Sequence, residues 1–352
     1  MNTSDFNRTK IYERLDYKEE PATYSGKIPW KIQQQIAATN GIHFVSEIGR
    51  LSQYPIPDLP ISEVRKESDC IMLDIGCGWG RWLMAGARKN YIPIGIDIRH
   101  EFCTTTLEAL KENNISGYAI VADLNNLPFK DNVFDFVWSF SVIQHTHKDR
   151  MLACLKHIKR ILKPKGFTKL EFPNKNGLRN RFGPVKKFAA FAKDYNSWCV
   201  RYYTVKEYKD IFKEIFHSFS FANHSFLGIG VLPSDLKYIK NLKSKLGVIF
   251  SLTLSALTNL IPGMKYLSDS IYIKAIKEGF ATNTNDIESF LHLHQYNKGN
   301  NLNIVPLLRC PISKMNLVLS NDRQFLISEN GNIRYPVINN VPILIESEAI
   351  LS

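Results

Sequence analysis

The stretch Ile71–Gly80, which reads IMLDIGCGWG, constrains the fold of this chain more than any other part of its sequence. Its first half is short and apolar, which is typical of a buried parallel strand. Its second half turns through Gly76, Gly78 and Gly80, and residues 81–89 then have the character of a helix. A strand, a glycine-rich turn and a helix form the nucleotide-binding unit of a doubly wound sheet, because glycines let the backbone approach a ligand.

The residues around this turn indicate which nucleotide it binds. A dinucleotide-binding turn has the pattern G-x-G-x-x-G, but Arg81 stands here in place of the third glycine. Asp74 precedes the turn, where a carboxylate would repel a pyrophosphate and attract an ammonium group. The strand predicted at residues 92–97 ends in Asp97, about 20 residues further on, which is the usual spacing for a ribose-binding carboxylate. These features favour S-adenosyl-L-methionine (SAM).

The motifs that follow resemble those of the class I SAM-dependent methyltransferases, in the same order, over about residues 68–280. They comprise Asp97, the acidic turn Asp123-Leu124, a fourth strand that leads to His145, and the turn before Gly166. The resemblance implies SAM as the cofactor, with Asp97 on its ribose and Asp123 beside its adenine. The residues that it implies for cofactor binding are Asp74, Gly76, Cys77, Gly78, Gly80, Asp97, Ile98, Asp123, Leu124, Ser139 and Phe140.

The apolar pattern of the catalytic region alternates between strand and helix. Such alternation predicts an α/β fold with a doubly wound, mostly parallel sheet, and the resemblance implies seven strands followed by a small β-rich C-terminal domain. Ligands bind at the carboxyl ends of such strands, where Asp74, Asp97, Asp123 and Ser139 all fall. Strands are predicted at 70–75, 92–97, 117–121, 133–139, 166–172, 216–226 and 270–276, and helices at 81–89, 101–112 and 149–162.

Residues 1–67 are predicted to form an N-terminal extension of the catalytic domain at 68–280, with a short helix at 31–38. Class I SAM-dependent methyltransferases, which this chain resembles, often cover the cofactor with such a segment. In this chain, Tyr24 and Trp30 either form that cap or pack on the surface of the core. Both alternatives stay open at the level of the sequence.

An insertion at about residues 228–268 contains an uncharged stretch, 246–264, with lysines on both sides. A buried helical hairpin over the substrate site is the preferred interpretation. A helix on an anionic membrane surface is the second, because lysines beside an apolar helix favour such lipid. A transmembrane span is the third, but the stretch is interrupted by polar side chains and a proline: Ser251, Thr253, Ser255, Thr258, Asn259 and Pro262.

The C-terminal part is predicted as an Asn-rich linker at 281–303 and a second module at 304–352. The module resembles the small Trm112-like domain, which begins with a Cys-Pro pair, here at Cys310, and ends with a Tyr-Pro…Ile-Pro run. Zinc-bearing relatives have paired cysteines, whereas Ser313 stands here in place of the partner, so we expect no zinc. Relatives act as subunits that stabilise methyltransferases, which implies the same role in cis.

The short module is too small for a sizeable core of its own, and its strands have edges that need a partner. We therefore expect it to dock on the catalytic domain, either by adding a strand to the sheet or by burying Tyr335, Val341 and Ile343 against it. The alternative is a recruiting module that moves freely on its linker.

Net charge and cysteine usage limit the surroundings of the protein. The chain has 45 basic and 33 acidic residues, a net charge of +12, which suits an anionic partner or simply favours solubility. The six cysteines are scattered, as in a protein with reduced thiols. The N-terminus has no apolar signal-peptide core. We expect a cytoplasmic protein that is peripheral to the membrane if 246–264 contacts lipid.

Methyl transfer needs a general base only if the acceptor atom carries a proton. His145 follows the fourth strand and is the candidate base, with a pocket-shaping role as its alternative. The fourth strand ends in Ser139-Phe-Ser141 and not in Asp/Asn-Pro-Pro-Tyr, which disfavours amino-methylation of nucleobases or protein glutamine. Three functions remain: transfer to a small or lipid-linked acceptor, favoured by the aromatic and apolar region 188–262; transfer to RNA or protein; and a non-catalytic SAM-binding scaffold.

Overall fold

The computed structural model describes residues 18–40, 44, 47–62, 69–182, 200–230, 232–258, 260–279 and 285–351. Its α-helices are α1 (Trp30–Asn40), α2 (Arg81–Ala87), α3 (His100–Glu112), α4 (Lys148–Ile161), α5 (Leu178–Phe182), α6 (Val205–Ile215), α7 (Leu242–Leu257) and α8 (Asn285–Tyr296). Its strands are β1 (Cys70–Ile75), β2 (Tyr91–Asp97), β3 (Tyr118–Ala122), β4 (Phe134–Ser139), β5 (Leu162–Pro173), β6 (Ser218–Ser225), β7 (Ser270–Ile276), β8 (Leu317–Leu319), β9 (Phe325–Ser328), β10 (Ile333–Ile338), β11 (Val341–Leu344) and β12 (Ile350–Leu351).

The alternating strands and helices of the catalytic region form as the sequence predicts. Strands β1 to β4 begin and end within one residue of their predicted bounds, and the seventh strand has the predicted bounds. Strand β5 begins earlier than predicted, at Leu162 directly after α4. The first part of the aromatic and apolar region 188–262, up to residue 199, lies outside the described residues. The α/β fold class with parallel core strands and an antiparallel C-terminal region is confirmed.

The described chain divides into two compact units, one from residues 1–135 and 281–352 and the other from residues 136–280. In the first unit the strands lie in the order β1-β2-β3-β11-β10-β9-β8, with β12 beside β10. The pairs β1/β2, β2/β3 and β3/β11 are parallel, whereas β11/β10, β10/β9 and β9/β8 are antiparallel. The parallel part brings the carboxyl ends of β1, β2 and β3 to one edge of the sheet.

In the second unit the strand order is β6-β7-β5-β4. Strand β7 is antiparallel to both of its neighbours, β5 and β6, as the resemblance implies for the last strand. Helix α6 begins with a capping box, in which the Thr204 side chain accepts from the Glu207 N–H and the Glu207 side chain accepts from the Thr204 N–H. Its apolar face is buried through Tyr208, Ile211 and Phe212.

The C-terminal module docks on the catalytic sheet, so that expectation is confirmed. Strand β11 extends the sheet by pairing with β3, with Ile343 opposite Val121. The buried side chains of Val341 and Ile343 share an apolar cluster with Val121 and Cys103, and Ile98 packs against it. Tyr335 is also buried, and its hydroxyl lies 3.5 Å from the Cys310 thiol inside the module.

The linker predicted at 281–303 needs a correction, because most of its described part is helical. Helix α8 has two acidic residues in its first turn and buries Ile287 and Phe290. The Phe290 ring lies 5.2 Å from the ring of Tyr118, and the Nδ1 atom of His294 lies 2.8 Å from the Tyr118 hydroxyl. The polar, Asn-rich composition concealed this apolar stripe. His294 is therefore half-buried, and burial lowers its pKa.

The insertion also differs from its preferred interpretation. In place of a buried hairpin, the described residues contain a single long helix, α7, between 3-10 helices at Pro233–Tyr238 and Pro262–Leu267. Only Val248 and Ser251 of α7 are buried. In the described part of the chain, no helix is long and apolar enough to cross a bilayer.

Helix α1 is longer than the predicted helix at 31–38 and ends close to the glycine turn. Its Asn40 accepts a hydrogen bond from the Trp79 indole at 3.2 Å, and its Gln35 donates to Thr105 at 3.1 Å. Trp30 instead contacts Tyr24, edge to face at 5.2 Å. The end of α1, rather than the Tyr24–Trp30 pair, therefore adjoins the predicted cofactor turn.

Candidate cofactor site

The glycine turn is held to the sheet by backbone hydrogen bonds. The N–H groups of Gly76 and Cys77 both donate to the carbonyl of Ile96 on β2, at 2.8 and 2.9 Å. Gly76, Gly78 and Gly80 all have positive φ, at 79°, 54° and 90°, which favours glycine at each position. A Cβ atom on Gly78 would meet only a methyl group of Thr39, at 3.8 Å. No atom crowds the backbone at Gly78, so a ligand group can approach it there.

Asp74 is the most unusual polar residue of the site. It lies at the end of β1, is 1% exposed, and both of its carboxylate oxygens lack a hydrogen-bond partner among the described residues. Burial, followed by the nearby charge of Asp97, raises its pKa well above the ordinary value. A buried acid without a partner costs free energy unless a ligand supplies donors. The ammonium group of SAM is a ligand group of that kind, so the residues present fit this cofactor.

Asp97 ends β2 and faces the same turn. Its Oδ2 atom accepts from the Gly78 N–H at 3.2 Å, and its Oδ1 atom accepts from the Arg99 N–H at 3.0 Å. Burial raises its pKa to about 6, although these backbone N–H groups oppose the shift. The carboxylate is thus oriented before any ligand binds, and oxygen lone pairs remain for the hydroxyls of a ribose.

Asp123 follows β3, the next strand along this edge. Its Oδ1 atom accepts from the N–H and the side-chain amide of Asn125, at 2.9 and 2.7 Å. Leu124 is partly exposed beside it. The turn borders a cavity of about 230 Å³ whose other side consists of Pro311 and residues 344–347 of the C-terminal module.

The C-terminal module also fixes the end of this turn, which the sequence did not reveal. The side-chain amide of Asn126 donates to the Pro311 carbonyl at 2.8 Å and to the Glu346 carboxylate. The ammonium group of Lys314 donates to the Asn126 side-chain oxygen at 2.8 Å. All three partners belong to the module, and only their close approach through β11 brings them to the acidic turn.

Ser139 and Phe140, the other residues predicted to bind the cofactor, lie in the second unit. Ser139 is buried, whereas Phe140 is partly exposed and its ring stacks on Trp138 with centroids 6.3 Å apart. The next residue, Ser141, has a positive φ of 57°. Its N–H and hydroxyl both donate to one oxygen of the buried Glu171, at 3.0 and 2.8 Å, and burial raises the Glu171 pKa.

His145, the candidate base, ends a short 3-10 helix at Ile143–His145 and is partly buried. The backbone around it is held by Arg201, a buried residue that the sequence did not single out. The Arg201 guanidinium donates to the His145 carbonyl at 2.6 Å, and the Arg201 N–H donates to the Gln144 carbonyl at 2.9 Å. Arg201 escaped the sequence analysis because it is distant in the chain from any recognised motif, and Glu171 because it lies inside the predicted strand at 166–172 and not in its turn.

The catalytic region of the chain is similar to known proteins. Residues 72–166 match the family model of a methyltransferase domain. An uncharacterized protein of Methanocaldococcus jannaschii is 33% identical over 120 residues, which are 34% of this chain and 48% of that protein. Human "Probable tRNA methyltransferase 9B" is 33% identical over 97 residues, 27% of this chain and 20% of that protein. The chain thus spans about half, or less, of the curated relatives that match its catalytic region.

The glycine turn, Asp74 and Asp97 all lie in the region 72–166 that matches the methyltransferase domain, a class whose methyl donor is SAM. A SAM-dependent methyltransferase from Thermotoga maritima has a similar fold, with a TM-score of 0.40 and 17% identity over 59% of this chain and 82% of that one. The C-terminal segment resembles the UPF0434 proteins. One from Pseudomonas paraeruginosa is 41% identical over 46 residues, 13% of this chain and 75% of that protein.

Proposed function

We propose that this chain transfers a methyl group from SAM to a small or lipid-linked acceptor, with its C-terminal module as a stabilising domain in cis. The observation that carries the proposal is Asp74, a buried acid that precedes the glycine turn and has no hydrogen-bond partner among the described residues. SAM supplies an electrophilic methyl group on a sulfonium. The residues of this chain bind and orient the reactants, because an in-line displacement depends mainly on their alignment.

In this proposal Asp97 binds both ribose hydroxyls of SAM. We expect Asp97→Ala to weaken SAM binding by about 2–3 kcal/mol, since charge-assisted hydrogen bonds are lost. Isothermal titration calorimetry measures the change, and Glu108→Ala, which removes an exposed acid from α3, is the matched control. Unchanged affinity in a folded Asp97→Ala protein would contradict the ribose role. Tighter binding of NADH than of SAM would contradict the cofactor.

His145 takes up the proton of an acceptor that carries one. We expect His145→Ala to lower turnover while SAM affinity stays near that of the wild type, and the pH–rate profile of the wild type to bend between about pH 5 and 8. Arg201→Lys, which keeps the charge but not the planar donor pair, tests positioning: a partial loss of turnover with the same pH profile is expected. A flat profile, or full turnover in His145→Ala, would reject the base.

A cluster of aromatic rings in the second unit favours an acceptor with an apolar part. The His224 ring lies 5.1 Å from the Phe140 ring and 4.5 Å from the Tyr272 ring. The ring centroids of Trp138 and Tyr272 are 5.7 Å apart. Trp138 and Tyr272 are buried, so the partly exposed rings of Phe140 and His224 are those that would contact an apolar or cationic group of the acceptor.

RNA is the second candidate acceptor, and protein belongs with it. The net charge of +12 and the similarity to a relative named for tRNA methylation favour RNA. Purified protein with methyl-labelled SAM, incubated separately with total RNA, with a protein extract and with a lipid and metabolite extract, distinguishes the acceptors. Label in RNA or in protein would reject the small or lipid-linked acceptor, and SAM binding without label in any fraction would indicate a non-catalytic scaffold.

The C-terminal module acts without zinc in this proposal. Cys310 is its only cysteine, and Ser313 donates its N–H to the Cys310 thiol at 3.2 Å, where a metal ligand would otherwise stand. Among the described residues, no group of three or more His, Cys, Asp or Glu is placed to hold a metal ion. Elemental analysis that finds one zinc per chain would show that the role of the module has been misinterpreted.

A further inference from the structure

Helix α7 presents an apolar face to solvent. Leu242, Leu246, Ile249 and Phe250 are 69%, 57%, 44% and 55% exposed, which is unusual for so many large apolar residues on one helix. Their spacings of four, three and one place them in a single stripe along the helix. Leu260 and Ile261, just beyond the helix, are exposed as well.

Two hydroxyl side chains of this segment, those of Ser251 and Thr258, face the protein instead. The Ser251 hydroxyl is buried and donates to the Phe226 carbonyl at 2.9 Å. The Thr258 hydroxyl, directly after the helix, donates to the Asn223 side chain at 2.9 Å. Both belong to the six residues that argue against a transmembrane span in the sequence. Their hydrogen bonds hold the helix to the region around β6 and leave the apolar stripe turned outward.

Positive charge borders the stripe. At about 100° per residue, Lys243 falls on one edge of the stripe and Lys245 on the other, and both are exposed. Lys237 and Lys240 precede the helix and are exposed too, and Lys265 follows it. The sequence from 236 to 268 contains no Asp or Glu. The surface around the stripe is thus basic without any compensating acid in this segment.

We propose that α7 lies in the plane of an anionic membrane surface. Its apolar side chains enter the boundary between headgroups and acyl chains, while the lysines at its edges extend to lipid phosphates. A 16-residue helix is too short to span a bilayer but suits this orientation. A second copy of the chain would bring the lysine-bordered stripes together and set like charges against each other, so anionic lipid is the better complement.

Vesicle binding by the full-length protein tests this proposal without any methyl acceptor. We expect cosedimentation with vesicles of phosphatidylcholine mixed with phosphatidylglycerol, much weaker binding to phosphatidylcholine alone, and a loss of binding as salt is raised. Leu246→Ser with Phe250→Ser, and separately Lys243→Glu with Lys245→Glu, are each expected to weaken partitioning by about tenfold or more.

Matched controls change exposed apolar or basic side chains outside α7. Val318→Ser with Leu351→Ser removes two exposed apolar residues of the C-terminal module, and Lys111→Glu with Lys298→Glu reverses two exposed charges. We expect vesicle binding close to that of the wild type for the apolar control and a clearly smaller loss than at Lys243 and Lys245 for the charge control. Circular dichroism and SAM binding establish that each variant is folded.

Several results would overturn the proposal. These are no binding of the wild type to anionic vesicles, equal binding to neutral ones, or no loss in the α7 variants. A dimer that becomes monomeric through Leu246→Ser with Phe250→Ser, without vesicle binding, would identify the stripe as a self-association surface instead. Methyl transfer can fail independently of all these outcomes, because vesicle binding requires neither SAM nor an acceptor.

Discussion

The C-terminal module and helix α7 both have apolar residues outside the methyltransferase core, but these residues are buried in the module and exposed on α7. Val341 and Ile343 of β11 are fully buried, whereas Leu246 and Phe250 of α7 are more than half exposed. The difference follows from the backbone. A strand leaves its N–H and C=O groups unpaired until another strand joins it, whereas a helix satisfies them internally. A helix can therefore remain stable with an apolar face uncovered.

The edge of β3 shows how completely the docked region is paired. Strand β11 pairs with Val121 and Ala122, and the side chain of Asn301 continues the pairing at Ala119. The Asn301 side chain accepts from the Ala119 N–H at 2.9 Å and donates to the Ala119 carbonyl at 2.8 Å. It also donates to the Asn340 carbonyl, in the turn between β10 and β11. The side-chain amide of Asn301 thus makes the two hydrogen bonds to Ala119 that a neighbouring strand would otherwise make.

Removal of residues 284–352 should have the largest effect. The deletion exposes the β3 edge and the cluster around Val121, and it removes the cover of Tyr118 by Phe290. Each lost apolar side chain contributes about 1.5–3 kcal/mol, so we expect insoluble protein or a strongly lowered melting temperature. Thermal unfolding with and without SAM measures the loss. An unchanged melting temperature with intact SAM binding would contradict docking and favour a tethered recruiting module.

A pair of matched truncations compares the two regions directly. Ile343→Ala creates a cavity in the docked cluster and should lower the free energy of unfolding by about 2–5 kcal/mol. Leu246→Ala removes a similar side chain from an exposed position, and we expect a change within about 0.5 kcal/mol. Chemical denaturation of both variants gives the two values. Equal destabilisation would show that α7 is covered in solution and that the contrast is wrong.

Asn301→Ala should have an intermediate effect, because it leaves the buried N–H and C=O groups of Ala119 without partners. The expected loss is about 2–4 kcal/mol in the free energy of unfolding, since each unsatisfied group costs about 1–3 kcal/mol. Asn332→Ala, at an exposed position of the same module, is the control. Similar stability for both variants would mean that β11 alone holds the edge.

The smallest effect that we expect is the pH dependence of SAM affinity through Asp97. This residue adjoins the docked region, because the next residue, Ile98, packs against the cluster of Val341 and Ile343. Because the Asp97 pKa is raised to about 6 from an ordinary value of 3.8, its carboxylate takes up a proton below about pH 6. We expect SAM affinity, measured by calorimetry, to fall about tenfold per pH unit below that point. The substitution Leu246→Ala should leave this profile unchanged, and Asp97→Asn should remove the contribution of this group.

The unliganded protein should respond to pH in the opposite sense through the same group. The folded state keeps the Asp97 proton up to about pH 6, whereas the unfolded chain releases it near 3.8. The folded state thus binds more protons in that window, and stability from this group rises as the pH falls from about 6 to about 4. Thermal unfolding of the wild type and of Asp97→Asn at a series of pH values measures the difference. If the melting temperatures of the two proteins change with pH in the same way, the raised pKa is contradicted.

The catalytic fold was predictable because local and long-range signals agree there. The apolar run before Gly76, the acid at Asp97 and the helix at α4 each follow from periodicity or spacing alone, and each forms where expected. The linker prediction failed at α8 for the opposite reason. Its apolar residues Ile287 and Phe290 gain burial only through Tyr118, which lies far away in the chain.

The sequence by itself determined the class of fold, the glycine turn and the acids that line its edge, because these depend on neighbouring residues and on strand order. It also contained the apolar residues of β11 and of α7, but not their surroundings. Only the tertiary structure decided that one set is buried against β3 and the other faces outward. The reason is that burial depends on which distant backbone is left to be paired, and strands need such a partner whereas helices do not.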